Sequence, residues 1–200
     1  MADTKKNIAV LILAAGSSSR MGRPKQLLPW KDTTLLGNIL KKAKLSFPME
    51  IVVVLGAYAE RIKLEIQEDE SVILVNKKWE SGLGGSLALG TRYILEKKKA
   101  IDGVLVLLGD QPFVDENFIE TMIKTFYSNK KGIVATSYGK KVGVPALFSR
   151  DYFDLLTDID GDSGAKLLLQ EHENDVIPLS AGNVTLDIDT QQDYEQLKSL

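Results

Sequence analysis

Four short runs, Ile8–Leu13, Ile51–Leu55, Val72–Val75 and Val104–Leu108, carry Val, Ile and Leu at successive positions. A strand packed on one face alternates apolar with polar residues. Runs without that alternation suit strands covered on both faces, which favours a parallel sheet between layers of helices. The stretches between them, Thr34–Leu45, Tyr58–Gln67 and Gly85–Lys98, have helical spacing, and Leu83, Leu87 and Ile94 fall near one face. Asp115-Glu116-Asn117 opens a further helix, Asn117–Tyr127, with acids in its first turn. Beyond it, Ile133–Ser137 and Val144–Ser149 read as strands, and Tyr152–Thr157 and Ser163–His172 as short helices. Val184–Ile188 reads as a last strand, and Thr190-Gln191-Gln192-Asp193 starts the final helix. Lys97-Lys98-Lys99 reads as the solvated end of a helix. The expected architecture is α/β: one three-layer α/β/α domain over residues 1–200 with a mostly parallel, Rossmann-like sheet. Its ligands belong at the C-terminal ends of the strands.

Composition narrows the chemistry. The chain has 25 Lys and Arg against 27 Asp and Glu, a net charge of −2, so nothing draws its whole surface to nucleic acid or anionic lipid. It has no cysteine, which excludes disulfides, thiolate metal sites and a cysteine nucleophile. Its one histidine, His172, lies in the polar run Gln170-Glu171-His172-Glu173-Asn174 and reads as a solvated surface residue. Multi-histidine metal sites and a Ser-His-Asp triad are set aside on that ground. The longest apolar run, Ile8 to Ala15, is too short for a bilayer. It follows Lys5-Lys6-Asn7 as a secretory leader would, but Gly16 and a polar loop end it early. The expectation is a cytoplasmic protein with a buried first strand.

The loop after that strand carries the sharpest signal: Leu13-Ala14-Ala15-Gly16-Ser17-Ser18-Ser19-Arg20-Met21-Gly22-Arg23-Pro24-Lys25. Small residues let backbone N–H groups approach a phosphate chain. Arg20 can grip phosphate oxygens in a fork, and Lys25 is a compact point charge. Pro24 and Pro29 resist helix, so the segment is expected to stay a long loop around its ligand. A P-loop would need Gly-Lys-Ser/Thr where Gly22-Arg23-Pro24-Lys25 stands, and the dinucleotide fingerprint fails at the three serines after Gly16. Leu55-Gly56-Ala57 offers no acid to hold a ribose at the second strand's tip.

Two further places suit a nucleotide site. Gly82-Leu83-Gly84-Gly85-Ser86-Leu87 opens a helix with little side-chain bulk, which leaves room for a flat base or serves close packing on the sheet. Asp110 follows a buried run directly and suits either a Mg²⁺ ligand or the turn made with Gly109 and Pro112. Asp187 and Asp189 are two apart, so in an extended strand both carboxylates face one side.

With these segments in view, the chain resembles nucleotidyltransferases of the NTP-transferase superfamily, of nucleotide-diphospho-sugar transferase fold. The signature loop carries that likeness. Gly109-Asp110-Gln111-Pro112, Gly161-Asp162-Ser163-Gly164-Ala165-Lys166 and Leu186-Asp187-Ile188-Asp189-Thr190 narrow it to the molybdenum cofactor cytidylyltransferase branch. The resemblance implies transfer of CMP from CTP to molybdopterin carrying molybdenum, with release of pyrophosphate. It implies nucleotide contacts from Leu13, Ala14, Ala15, Gly16, Ser17, Arg20, Lys25, Gly82, Gly84 and Ser86, and a catalytic set of Lys25, Arg20 and Asp110. Mg²⁺ is expected on Asp110 and Asp187, with Asp189 left to cap the last helix.

Positioning and charge neutralisation then supply most of the catalysis, and the ionised acceptor phosphate needs no general base. Ala15 stands where the guanylyltransferase sibling has Gly, which tilts the expectation to a pyrimidine. Expected partners are small molecules and a molybdoenzyme recipient or its chaperone, with neither nucleic acid nor membrane. Gly84 and Gly85 replace serines common in the branch, Val144 a polar residue, and Lys166 an arginine. Those departures leave open another phosphorylated acceptor, such as a sugar phosphate, phosphoalcohol or phospho-acid. A non-catalytic nucleotide-binding cofactor chaperone is the alternative of another class.

Overall fold

The structure, a computed structural model, describes residues 7–66, 70–97 and 100–198. The expected buried runs become β1 (Ile8–Ala14), β4 (Glu50–Leu55), β5 (Val72–Val75) and β6 (Gly103–Leu108), with a short antiparallel pair β2 (Pro29–Trp30) and β3 (Thr33–Thr34) between the first two. Strands β7 (Ile133–Ser137), β8 (Val142–Ser149) and β9 (Val176–Ser180) complete a seven-stranded sheet of order β5-β4-β1-β6-β8-β7-β9. Of these strands β8 alone runs against the rest, pairing antiparallel with both β6 and β7.

Each strand feeds both faces of the sheet. Val10 and Ile12 of β1, Val53 of β4 and Leu105 of β6 pack under helices α1 (Leu35–Leu45), α2 (Ala59–Glu65) and α4 (Glu116–Ser128). Their neighbours Leu11, Val52 and Val104 pack under α3 (Leu83–Lys97), α5 (Phe153–Thr157) and α6 (Lys166–Glu171). Burial on both faces is why these runs lack alternation. Helix α3 lies so close on β1 that a Cβ at Gly90 would stand 2.3 Å from a methyl of Leu11. No helix among the described residues is long and apolar enough to cross a membrane.

Several expectations need correction. Val184–Ile188 is not a strand: Gly182–Thr185 makes a 3₁₀ turn, and the last strand is β9, whose Pro178 suits a sheet edge. Alternation in that stretch is misleading, because Leu186 is exposed while Ile188 is buried with Leu28, Trp30, Leu35 and Tyr194. The loop after β1 contains two single 3₁₀ turns, Ser19–Met21 and Lys25–Leu27, with Pro24 before the second. Leu83 leaves the shared face with Leu87 and Ile94 and stands exposed at the start of α3. His172 is half-buried, its ring edge-on to Tyr152. The expected helix end at Gln67, and Lys98 and Lys99, lie outside the described residues.

Candidate active site

The loop leaving β1 is held from within. Buried Gln26 donates from Nε2 to the carbonyls of Ala14 and Gly16, both at 3.0 Å. Ser18, at φ 53°, accepts the Lys25 backbone N–H on its Oγ at 3.1 Å. The loop therefore closes on itself and drives the Lys25 side chain inward. Its Nζ lies 2.6 Å from Asp110 Oδ2 and 2.9 Å from Asp189 Oδ1, and it donates to the Ile188 carbonyl at 3.0 Å. Burial works against the Lys25 charge, but Asp110 and then Asp189 outweigh it and hold the ammonium above the usual lysine range.

The acids arrive from two elements. Asp110 lies past the C-terminal end of β6, and its main-chain carbonyl accepts the Ile188 N–H at 3.0 Å. That bond, with burial of Ile188, moors residues 187–189 beside β6. Thr190, not Asp189, caps the last helix, α7 (Gln191–Leu197): its hydroxyl accepts the Asp193 N–H at 3.1 Å, and Asp193 accepts the Thr190 N–H at 2.8 Å. Asp189 instead spreads its oxygens over two cations, Oδ1 to Lys25 and Oδ2 to Arg20 at 3.0 Å. Burial pushes the Asp189 carboxyl up, but Lys25 and Arg20 outweigh it and hold it below the usual range.

Asp187 behaves differently. Its surface is partly open, yet the protein crowded around its carboxyl, with the Asp110 charge beside it, pushes it up to about 6, against a hydrogen bond from Gln111. Asp110 Oδ1 is buried without a hydrogen-bond partner. Two crowded carboxylates, one with an orphaned buried oxygen, fit a divalent cation that takes its other ligands from water and phosphate. Among the described residues no group of three or more acidic or histidine side chains could hold a metal alone.

Two cavities flank these acids. The first, about 330 Å³, is lined by Leu13, Ala14, Ala15, Gly16, Ser17, Arg20, Lys25 and Asp110, which the structure brings together, and by Gln26, Leu83 and Asp189. The second, about 550 Å³, is lined by Gln111, Tyr138, Lys140, Lys141, Val144, Lys166 and Asp187. So Asp187 and Asp189 do not face one side; each lines a different cavity.

Gly82, Gly84 and Ser86 lie off both walls. At Gly82 and Gly84 the room expected for a base is filled by the loop at Asp160–Asp162. Gly84 N donates to the Gly161 carbonyl at 2.9 Å, a Cβ at Gly84 would be 2.8 Å from the Asp160 carbonyl carbon, and Gly82 sits at φ +111° against Asp162. Ser86 is buried and accepts from Asn76 at 3.0 Å. Gln26, which anchors the loop, has no signal in the sequence beyond its place beside Lys25.

A strand-end loop here brings a half-buried lysine and an arginine against a pair of carboxylates at the mouth of a cleft. The chain belongs to the MobA-like NTP transferase family, whose domain model matches residues 10–176. It is similar in structure to Rv0371c from Mycobacterium tuberculosis H37Rv, at 32% identity and a TM-score of 0.86 over 98% of this chain and 100% of that one. A manganese complex of Rv0371C matches at 30% identity and a TM-score of 0.81, over 97% and 99% of the two chains. A nucleotidyl transferase from Methanothermobacter thermautotroptrophicus, at 22% identity, shares the fold with a TM-score of 0.78 over 96% of each chain. Among sequence relatives, Nicotine blue oxidoreductase of Paenarthrobacter nicotinovorans is 27% identical over 94% of each chain.

Proposed function

We propose that the chain transfers a nucleotidyl group, CMP from CTP by preference, to a phosphate-bearing acceptor with release of pyrophosphate, and that the acceptor is molybdopterin carrying molybdenum. The observation that carries the transfer is the meeting of Lys25, Arg20 and Asp110 at the cleft that the β1 loop encloses. The triphosphate lies along that loop, against its backbone N–H groups. Lys25 neutralises the α-phosphoryl group as the acceptor oxygen attacks, and Arg20 holds the departing pyrophosphate. Asp110 and Asp187 hold Mg²⁺, which supplies further neutralisation of phosphate charge when bound. Asp187 also lines the second cavity, so the acceptor enters from there and meets the nucleotide across the acids. Lys140, Lys141 and Lys166 give that cavity the charge to receive an anionic acceptor.

Preference for CTP rests on Ala15, whose methyl narrows the cleft wall where a purine would need room. The likeness to Nicotine blue oxidoreductase favours a second reading, an oxidoreductase reaction. No acid follows β4 at Gly56-Ala57 to hold a dinucleotide ribose, which counts against that reading. The deciding experiment is pyrophosphate release from each of the four NTPs with Mg²⁺, with and without molybdenum cofactor. Release from CTP that requires the cofactor supports the full reading. Release only with another phosphorylated acceptor sinks molybdopterin and keeps the transfer.

A further inference from the structure

Lys25 has three N–H donors and spends them on three acceptors: Asp110 Oδ2 at 2.6 Å, Asp189 Oδ1 at 2.9 Å and the Ile188 carbonyl at 3.0 Å. One of those acceptors is the carboxylate that the nucleotidyl-transfer reading needs for its metal. The other carboxylate, Asp189, does two things at once, since its second oxygen lies 3.0 Å from Arg20. A single anion thus bridges the two side chains that would grip the triphosphate, as a phosphate group does. Its backbone is fixed on both sides, by buried Ile188 and by Asp193, which accepts the N–H groups of Asp189 and Thr190. Because Thr190 provides the helix cap, the Asp189 side chain has no structural duty there.

We propose that Asp189 is a positioning residue that stands in for phosphate: it keeps Lys25 and Arg20 poised on the cleft wall, shares Lys25 with Asp110 so that Asp110 does not hold it alone, and yields both cations to the arriving triphosphate. The inference rests on the nucleotidyl-transfer reading. Without Asp189, Lys25 has Asp110 as its one carboxylate. That pair is the more buried of the two, with side chains 13% and 22% exposed, so it is the less screened by solvent. Lys25 would then compete with the metal for Asp110, while Arg20, 67% exposed, would lose its fixed direction. Asp189 also competes with phosphate for the same cations. Its removal therefore helps binding and harms turnover.

The test compares the unaltered protein with Asp189→Ala and Asp189→Asn, using CTP as the probe. Calorimetric titration in EDTA reads binding alone, and pyrophosphate release at saturating Mg²⁺, with the phosphorylated acceptor that supports turnover, reads kcat and KM. For Asp189→Ala, CTP should bind about 3-fold tighter in EDTA, the scale of losing one partly exposed ionic competitor. The kcat should fall about 10- to 100-fold, as expected when a catalytic cation is held off its place. Asp189→Asn keeps an oxygen for Lys25 without the charge and should fall between. KM and kcat falling together is the signature, since damage to folding alone would weaken binding and lower Tm. Weaker CTP binding in EDTA, or an unchanged kcat, overturns the inference. If the unaltered protein binds CTP but releases no pyrophosphate from any NTP, the transfer reading fails instead. The EDTA comparison would still judge the stand-in role.

Discussion

The two segments that face each other across the cleft are held in opposite ways. The loop of residues 15–28 is closed by bonds of its own, Gln26 to Ala14 and Gly16 and the Lys25 N–H to Ser18, with Leu28 at its end packed beside Ile188. The acidic segment at 187–189 is anchored by distant elements, through Ile188 packed among Trp30, Leu35 and Tyr194 and a backbone bond to Asp110. Injury to the loop should therefore stay local and weaken the grip on phosphate. Injury to the mooring of the other segment should shift two acids and alter metal use. The division of labour between the cleft's two walls follows from this difference in support.

The largest effect is expected where the two walls touch. Lys25→Ala and Asp110→Ala should each lower kcat for pyrophosphate release by about 10³-fold, the cost of removing one preorganised electrostatic group from a transfer site. Both side chains lie at a cleft rather than in the hydrophobic core, so neither variant should unfold the protein. Near-normal turnover in either variant would break the assignment of this contact as the reactive centre.

Next comes Asp187→Asn. Halving the pair of carboxylates should raise the Mg²⁺ concentration for half-maximal rate by about 10- to 100-fold, the range seen when a metal's immediate support is lost. The same change removes a charge crowded against Asp110, so Tm at neutral pH should rise while activity falls. Titrating Mg²⁺ in the rate assay and recording thermal melts in parallel checks both halves. A lower Tm with an unchanged metal requirement would mean that Asp187 is a structural residue of the acceptor cavity.

How much of this is readable from residues alone depends on how local each cause is. Strands β1, β4, β5 and β6 are legible because burial on both faces writes itself directly into their composition. The meeting of Lys25 and Arg20 at one cleft is legible because both stand in the short loop that leaves a buried strand. Val184–Ile188 is misread because its alternation imitates a strand, while Ile188 packs on Leu28, Trp30 and Leu35, more than a hundred positions away in the chain. Gly82 and Gly84 offer the same bareness whether a base or a backbone loop approaches, and the approaching partner, Asp160–Asp162, is fixed only by the fold. Gln26 is invisible for the same reason, since a glutamine becomes an anchor only once two carbonyls are aimed at it.

Gln26→Ala sharpens the contrast between the walls. It leaves the Ala14 and Gly16 carbonyls without their donor, a loss of about 1–3 kcal/mol for buried groups. Part of that cost falls on the bound loop, so KM for CTP should rise by about 5- to 10-fold. The Mg²⁺ requirement should stay unchanged, because the acids do not depend on Gln26. Equal shifts in KM and in the metal requirement would show that the loop and the acidic segment move as one body.

The smallest expected effect tests the opposite wall through its remotest support. Thr190→Ala removes the hydroxyl that caps α7 and leaves Asp193 with only the backbone half of the capping box. An N-cap of this kind contributes about 1 kcal/mol. Tm should therefore fall by only a few degrees, and KM for CTP should stay near its original value. The Mg²⁺ requirement should rise by about 2- to 3-fold, because the turn that presents Asp187 and Asp189 loosens. Acid reads the same cap from its other half. The hydroxyl and N–H of Thr190 hold the Asp193 carboxyl below its usual range, so Asp193 stabilises the fold above its ordinary pKa of 3.8. That contribution is lost as pH falls through its lower folded value. Melts of both proteins between pH 7 and pH 3 should thus begin to converge below pH 3.8, where protonation of Asp193 starts to remove its half of the cap. Curves that stay parallel would show that Asp193 does not depend on Thr190. A change in KM for CTP without one in the metal requirement would show that α7 supports the phosphate wall instead.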